Sequence, residues 1–185
     1  MISIVAIGGT VRSDSSTHWA LQGAVAATRA TGAEVTVFDG DYLLTLPFYG
    51  GPGHGAGDGA ELVEAVRRAD GVILATPGYH GTMSGLVKNA IDYLEDLARD
   101  ERPYLHDRAV GLIATAYGHQ AAMSSLLSLR TIVHSLRGWP TPFGAAVRTS
   151  NGLFDRDGTC GDPAIAEQLA LVGRQVALGA ERLAA

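Results

Sequence analysis

Cysteine is almost absent from this 185-residue chain: Cys160 stands alone. No disulfide can form within the chain, and a reducing compartment fits. Charge is scarce too. Charged residues make up 18% of the chain, against about 25% in an average soluble protein. The formal charge is −5, which argues against the basic stripe that a nucleic-acid binder needs to displace counterions. No apolar run approaches the ~18 residues of a membrane-spanning helix. No basic segment precedes the apolar residues 2–7, so they read as a strand and not as a secretion signal. A soluble, cytoplasmic protein is expected, with neither a membrane nor a nucleic acid as partner. The low charge leaves apolar surface to cover, which favours a homodimer or homotetramer.

Residues 1–185 fit one domain, since domains run to roughly 100–200 residues. Strand and helix patterns alternate along the chain. Short, continuous apolar runs at 2–7, 34–38, 71–76, 109–116 and 141–147 read as strands buried on both faces. Helical spacing marks 15–30, 59–69, 84–97, 121–136 and 163–183. Within these helices Leu62, Val63 and Val66 should face the core, as should Leu86, Val87, Ala90, Ile91 and Leu94. The fourth helix should bury Met123, Leu126, Leu127 and Val133, and the last Ile165, Leu169, Val172 and Val176. Pro140 and Pro142 at the entry to the fifth strand place it at a sheet edge. Five strands alternating with five helices predict an α/β fold: a doubly wound parallel sheet with helices on both faces.

In such sheets ligands bind beyond the carboxyl ends of the strands. Three loops qualify. The first, residues 8–17, leaves its strand through Gly8-Gly9 and opens a helix. Thr10, Ser13, Ser15, Ser16 and Thr17 offer hydroxyls, Arg12 offers a fork of N–H donors, and the helix N-terminus favours an anion. Two readings stand: a phosphate site, or a hydroxyl-rich helix cap beside a surface arginine. The loop has no Gly-Lys-Ser/Thr ending of a Walker motif, and Gly8-Gly9-Thr10 lacks the glycine spacing of a dinucleotide fingerprint. The second loop, Pro77-Gly78-Tyr79-His80-Gly81-Thr82, is a tight turn whose Tyr79 and His80 can lie against a planar heterocycle or donate to its edge. No second His, Cys or carboxylate stands at metal-ligand spacing from His80, so no metal is expected. The third loop begins at Thr115-Ala116-Tyr117-Gly118. A glycine run at 50–59 is either a cover for the site or an exposed loop, and no Lys or hydroxyl follows its Pro52-to-Gly57 stretch to make it a nucleotide cradle. Cys160 has no basic neighbour except Arg156 and reads as a bystander.

Two motifs carry a resemblance. Gly-Thr-x-Arg-x-x-Ser-x-Thr follows strand one. Pro-Gly-Tyr-His-Gly-Thr-x-x-Gly-x-x-Lys-Asn-x-x-Asp-Tyr follows strand three. Together they resemble the NAD(P)H-dependent FMN reductase family, whose usual forms are Gly-Ser-x-Arg-x-x-Ser-x-Asn and Pro-Glu-Tyr-Asn-x-Ser-x-Pro-Gly-x-Leu-Lys-Asn-x-x-Asp. Leu46-Pro47-Phe48-Tyr49 and Phe154-Asp155-x-Asp157-Gly158 match family habits as well. The resemblance implies a flavodoxin-like fold with strand order 2-1-3-4-5. It implies that Thr10, Arg12, Ser15, Ser16 and Thr17 hold the FMN phosphate. Pro77, Gly78, Tyr79, His80, Gly81 and Thr82 would run along the isoalloxazine, and Thr115, Ala116, Tyr117 and Gly118 would approach its pyrimidine side. The chain departs from the family pattern at Gly78 (usually Glu), His80 (usually Asn) and Tyr117 (commonly Gly). Lys88 and Asn89 lie one turn into the next helix and are candidates to anchor the loop.

The implied activity is hydride transfer from NADPH or NADH to FMN, with electrons used on a quinone, azo or metal acceptor or passed as reduced flavin to a monooxygenase partner. Such transfer needs no protein acid or base, so no catalytic side chain is named. The competing reading is a non-enzymatic, flavodoxin-like electron carrier. Arg12 and the modest charge argue against it.

Overall fold

The computed structural model describes residues 1–12, 14–52, 57 and 59–185. Five chain segments form the parallel sheet. Strands β1 (Ser3–Gly8), β2 (Glu34–Phe38), β3 (Gly71–Tyr79) and β5 (Ala109–Ala116) are joined at the edge by the short β6 (Trp139–Pro140) and β7 (Ala145–Arg148). The order is β2-β1-β3-β5-β6, with β7 also paired to β5. Counting β6 and β7 as one interrupted fifth strand, this is the expected 2-1-3-4-5 order. Registers such as Val5↔Val72 and Val72↔Val110 run straight across the centre. The edge strand is broken at 141–144. Pro142 has no N–H to give a neighbour, so the pairing stops after Thr141 donates to Val110 and resumes at Ala145.

Alternate residues of each central strand enter separate cores, as a sheet covered on both faces requires. Val5, Ile7, Val72, Leu74, Val110 and Leu112 face α3 (Ala60–Arg68), α4 (Gly85–Asp92) and α5 (His119–Ser135). Ile4, Ala6, Ile73, Ala75 and Ile113 face α1 (Ser16–Arg29) and α6 (Pro163–Leu183). Helix α1 is capped by the Ser15 hydroxyl, which accepts from the His18 N–H. Helix α6 is capped by Asp162 with Pro163 in its first turn. No helix among the described residues is long and apolar enough to cross a membrane.

Four details differ from the sequence reading. A sixth helix, α2 (Gly40–Thr45), follows β2 and is capped by the Asp39 carboxylate. It is short, and no apolar periodicity announces it. The helix read at 84–97 is α-helical only to Asp92 and finishes as a 3-10 turn, Tyr93–Leu97. Strand β3 continues through Tyr79 and folds back as a hairpin onto the two-residue β4 (Thr82–Met83). Finally, Met123 and Leu127 are 50% and 53% exposed, not buried. Helix α5 instead buries Ala122, Ser125, Leu126, Leu129 and Val133, with its small residues at the end that meets Gly78. The backbone of β3 comes too close there for larger side chains. A Cβ on Gly78 would lie 2.8 Å from Ser125 Oγ and 3.0 Å from the Ala121 carbonyl.

Candidate functional site

The carboxyl ends of β1, β3 and β5 lie side by side at the centre of the sheet, so the three loops that leave them meet. Between them is an open cleft of about 310 Å³. Thr10, Arg12, Ser15, Ser16 and Thr17 line it from the first loop, Pro77, Gly78 and Tyr79 from the second, and Thr115, Ala116 and Tyr117 from the third. Of the remaining candidates, His80 and Gly81 form the turn of the β3–β4 hairpin, with φ of 50° and 90°. Two consecutive positive φ values are the signature of a tight hairpin turn, and glycine takes the second without strain. Thr82 is exposed and its hydroxyl donates to Ser128 Oγ at 3.3 Å. These three lie at the hairpin tip and do not line the cleft. Gly118 sits just past it as the N-terminal cap of α5. Sequence reasoning missed Thr149, which lines the same cleft from the end of β7 and donates its N–H to the Ala116 carbonyl. Thr149 follows an edge strand broken by prolines, which left no pattern to read.

The first loop is shaped by close packing on α2. A Cβ on Gly40 would overlap the Thr10 carbonyl. Thr10 Oγ1 bonds back to Arg12, accepting from its N–H and donating to its carbonyl, both at 3.1 Å. The chain then enters α1. The first N–H groups of a helix have no intrahelical acceptor, and no acidic residue sits in the first turn of α1. The end of the cleft at Ser16 is thus electropositive, with the Arg12 guanidinium added. That guanidinium is 73% exposed and pairs loosely with Asp14 at 3.4 Å. The Ser15 hydroxyl is held by its capping bond, and Thr17 is buried with its hydroxyl 2.7 Å from that of Thr115. The loop therefore offers an anion the first N–H groups of α1, the Arg12 guanidinium and the O–H groups of Ser15 and Ser16, since a Ser15 oxygen that accepts from His18 still has its own hydrogen to give. Thr17 serves the floor of the cleft and does not point a free donor into it. Ser13 lies outside the described residues.

Tyr79 and Tyr117 line the same cleft and expose 52% and 77% of their surface. Two aromatic rings left in water at one rim, facing a floor of Pro77, Ala116 and the backbone of Gly78, suit a flat ligand. The hairpin behind them is anchored from within. The Thr76 hydroxyl accepts from the Ser84 N–H at 3.0 Å, and Ser84 caps α4. Asn89 anchors a different segment. Its Oδ1 accepts from the Tyr49 N–H at 2.9 Å, and its Nδ2 donates to the Pro47 carbonyl at 2.8 Å, where Tyr93 also donates. Lys88 pairs with Asp92. The Lys-Asn-x-x-Asp-Tyr motif is therefore a clamp on residues 46–49. The ring of Tyr49 packs on Tyr93 and its hydroxyl donates to Asp96, and burial with the neighbouring carboxylate raises its pKa. Phe48, by contrast, is 88% exposed. The glycine run read as a cover falls largely outside the described residues.

Cys160 donates weakly to the Asp162 carbonyl and lies away from the cleft lining. Among the described residues no group of His, Cys, Asp or Glu is arranged to hold a metal ion.

A family model described as NADPH-dependent FMN reductase matches residues 2–151. The FMN-dependent NADPH-azoreductase of Staphylococcus aureus is 37% identical over 99 residues, which is 54% of this chain and 49% of that protein. The match spans about half the length of that relative. Among solved structures, the flavoenzyme NAD(P)H:(acceptor) oxidoreductase FerB from Paracoccus denitrificans superposes with a TM-score of 0.78 at 19% identity, covering 98% of each chain. An NADH:FMN oxidoreductase in its apo form gives 0.75 at 24% identity, covering 96% of this chain and 89% of that one. At those identities the two structures speak to the fold.

Proposed function

Since this chain belongs to the NADPH-dependent FMN reductase family, we propose that it is an NAD(P)H-dependent flavin oxidoreductase that binds FMN in the cleft at the ends of β1, β3 and β5. The observation that carries this reading is the mixed lining of the cleft. It joins a helix N-terminus and an arginine to two exposed tyrosines and an apolar floor. A phosphate on a short chain attached to a flat ring needs both kinds of lining.

When bound, FMN supplies the chemistry: it accepts a hydride from a nicotinamide and passes the electrons on. The chain's own residues bind and orient. Arg12, the N–H groups of Ser16 and Thr17, and the Ser15 and Ser16 hydroxyls would hold the phosphate. The Thr17–Thr115 pair fixes the distance between the phosphate end and the third loop. Pro77, Gly78 and Tyr79 bring backbone to the edge of the ring, and Tyr117 covers it. His80, Gly81 and Thr82 form the tip of the hairpin and would contribute by holding Tyr79 and Gly78 in place. Gly118 lets the third loop pass close to the pyrimidine edge.

The acceptor belongs to the class of quinones, azo compounds or metal ions, or is a flavin-dependent monooxygenase that takes the reduced flavin. We place the protein in the cytoplasm, where its one cysteine stays reduced. We read it as a homo-oligomer that covers Phe48 and the exposed face of α5. The test is direct. The purified chain should bind FMN at micromolar concentration with a change in flavin fluorescence, and should oxidise NADPH or NADH under air only when flavin is present. Absence of FMN binding would falsify the reading. Binding without nucleotide oxidation would make the chain an electron carrier.

A further inference from the structure

The edge of the sheet breaks between β6 and β7, and beside the break lies an open groove of about 510 Å³. It is walled by the start of β5 at Ala109, the edge residues 139–142 and the last turns of α6. Cavities of about 300–1,000 Å³ take small molecules. The groove shares no lining residue with the flavin cleft, which lies at the opposite end of β5. The length of β5 from Ala109 to Thr115 puts about 20 Å between the two. We propose that this groove is a second ligand site, for a small aromatic carboxylate bound by Arg182 and stacked on Trp139. Its occupancy does not depend on what the flavin cleft binds.

The walls are apolar and faced with rings. Trp139 is 59% exposed, and Pro140, Pro142, Leu178 and Leu183 surround the same space. An edge strand invites another strand to pair, but proline has no N–H to give it, so Pro140 and Pro142 bar that occupant. The floor is closed: a Cβ on Gly179 would lie 2.7 Å from that of Ala109, so α6 lies tight against the start of β5. A flat ring laid on Trp139 gains stacking as well as burial.

The charge of the lining selects an anion. Among the described residues Arg182 is the only charged group that lines the groove, and no carboxylate does; Glu181, beside it in sequence, is not part of the wall. Arg182 makes no ion pair among the described residues. It stands in the last turn of α6, where its charge offsets the carbonyl end of the helix, and the Ala180 carbonyl there already accepts from the Ala184 N–H at 3.0 Å. Gln175 accepts the Phe143 N–H through Oε1 at 2.9 Å, which leaves its Nε2 to donate. The backbone acceptors at the break are taken. The Thr141 and Pro142 carbonyls accept from Arg130 at 3.3 and 3.2 Å, and the Phe143 carbonyl accepts from the Thr141 hydroxyl at 2.9 Å. A guanidinium and an amide without a competing carboxylate favour an anion, and the guanidinium fork matches the two oxygens of a carboxylate.

The experiment titrates three probes by calorimetry into the full chain in excess FMN: 2-naphthoate, its neutral counterpart 2-naphthamide, and octanoate. The expected result is saturable binding of 2-naphthoate, about tenfold or more tighter than 2-naphthamide, the size of one charge-assisted contact, and tighter than octanoate. Arg182→Ala should cost 2-naphthoate about tenfold and change 2-naphthamide by less than about twofold. Trp139→Ala should weaken both. Because the readout is the dependence on Arg182, it holds whether or not FMN binds. No saturable binding at millimolar 2-naphthoate, equal affinity for the acid and the amide, discrimination that survives Arg182→Ala, or tighter binding of octanoate would each overturn the proposal. So would a wild-type dimer in sedimentation velocity that Trp139→Ala splits into monomers, since the groove would then belong to a second copy of the chain.

Discussion

The hydroxyls of Thr17 and Thr115 lie 2.7 Å apart in the buried floor of the cleft, joining the first turn of α1 to the last turn of sheet at β5. Among the described residues neither hydroxyl has another hydrogen-bond partner, so each depends on the other. Replacing one strands its partner. Thr115→Val should cost about 1–3 kcal/mol in urea unfolding, the cost of an unpaired buried hydroxyl. The double replacement Thr17→Val/Thr115→Val removes both polar groups and should recover part of that loss. If the double variant loses the sum of the two single losses, the pair is not what holds the floor together.

Arg12 is mostly in solvent and holds Asp14 only loosely, so its removal should leave stability nearly unchanged. An exposed ion pair contributes about 0–1 kcal/mol. Its effect should be on the ligand. Arg12→Ala should weaken FMN binding by about 1.5–3 kcal/mol, the range for a hydrogen bond to a charged group. Arg12→Lys should recover only part, because an ammonium lacks the fork that spans two phosphate oxygens. Fluorescence titration of FMN against wild type and both variants measures this. An unchanged affinity in Arg12→Ala would remove the residue from the site.

The same residues show what the sequence made legible. Strands β2 and β5 and helix α6 fall at the bounds read from apolar runs and helical spacing. Both are local signals. The cleft was legible for a related reason: parallel strands point their carboxyl ends one way, and the motifs lie there. The errors have a different origin. Pro77-Gly78 looks like a turn, yet β3 runs straight through it, because Pro77 is paired to Thr115 in register and the chain reverses only at His80-Gly81. Hydropathy places Met123 and Leu127 inside, but the buried face of α5 runs through Ala122, Ser125, Leu126, Leu129 and Val133, which leaves both outside. The groove at the start of β5 was invisible because a proline-broken edge strand supplies one of its walls, and that strand has no period to read.

Gly78 stands where the family usually has Glu, and the space around it explains why Glu does not fit here. Ser125 Oγ and the Ala121 carbonyl would crowd any Cβ. Gly78→Ala should destabilise the fold by about 1–3 kcal/mol through overpacking. Ser125 itself is fully buried, and its hydroxyl has no hydrogen-bond partner. Ser125→Ala should therefore be neutral or stabilising, since it removes a buried polar group that gains nothing from the fold. Thermal unfolding of the two variants decides between them. A Ser125→Ala protein that melts well below wild type would mean that the hydroxyl is satisfied in solution, for instance by water.

Among the described residues Arg108 is the largest fully buried side chain, and no carboxylate bonds to it. Its guanidinium donates instead to backbone carbonyls. Nε reaches Val66 and Ala69 at 3.0 and 3.1 Å, and Nη2 reaches Arg67 at 2.7 Å, which together cap the C-terminus of α3. Nη1 reaches Tyr104 and His106, both at 3.1 Å, and Arg102 at 3.5 Å, which ties down a turn where Tyr104 and Asp107 hold positive φ. Burial, with Arg102 nearby, pushes its pKa down to about 10, so it remains charged at neutral pH. One planar group thus replaces water for carbonyls from two segments, beside the Arg67–Asp100 ion pair at 2.7 Å. Arg108→Ala should cost about 3 kcal/mol or more, combining a cavity with several unpaired carbonyls. Arg108→Lys should recover little, since three donors on one nitrogen cannot reach both the helix end and the turn. Because Arg108 lies at the start of β5 and the flavin cleft at its end, any surviving folded Arg108→Lys protein should bind FMN as wild type does. Chemical denaturation and flavin titration, run together, read both effects. A stable Arg108→Ala protein would show that these carbonyls find water instead.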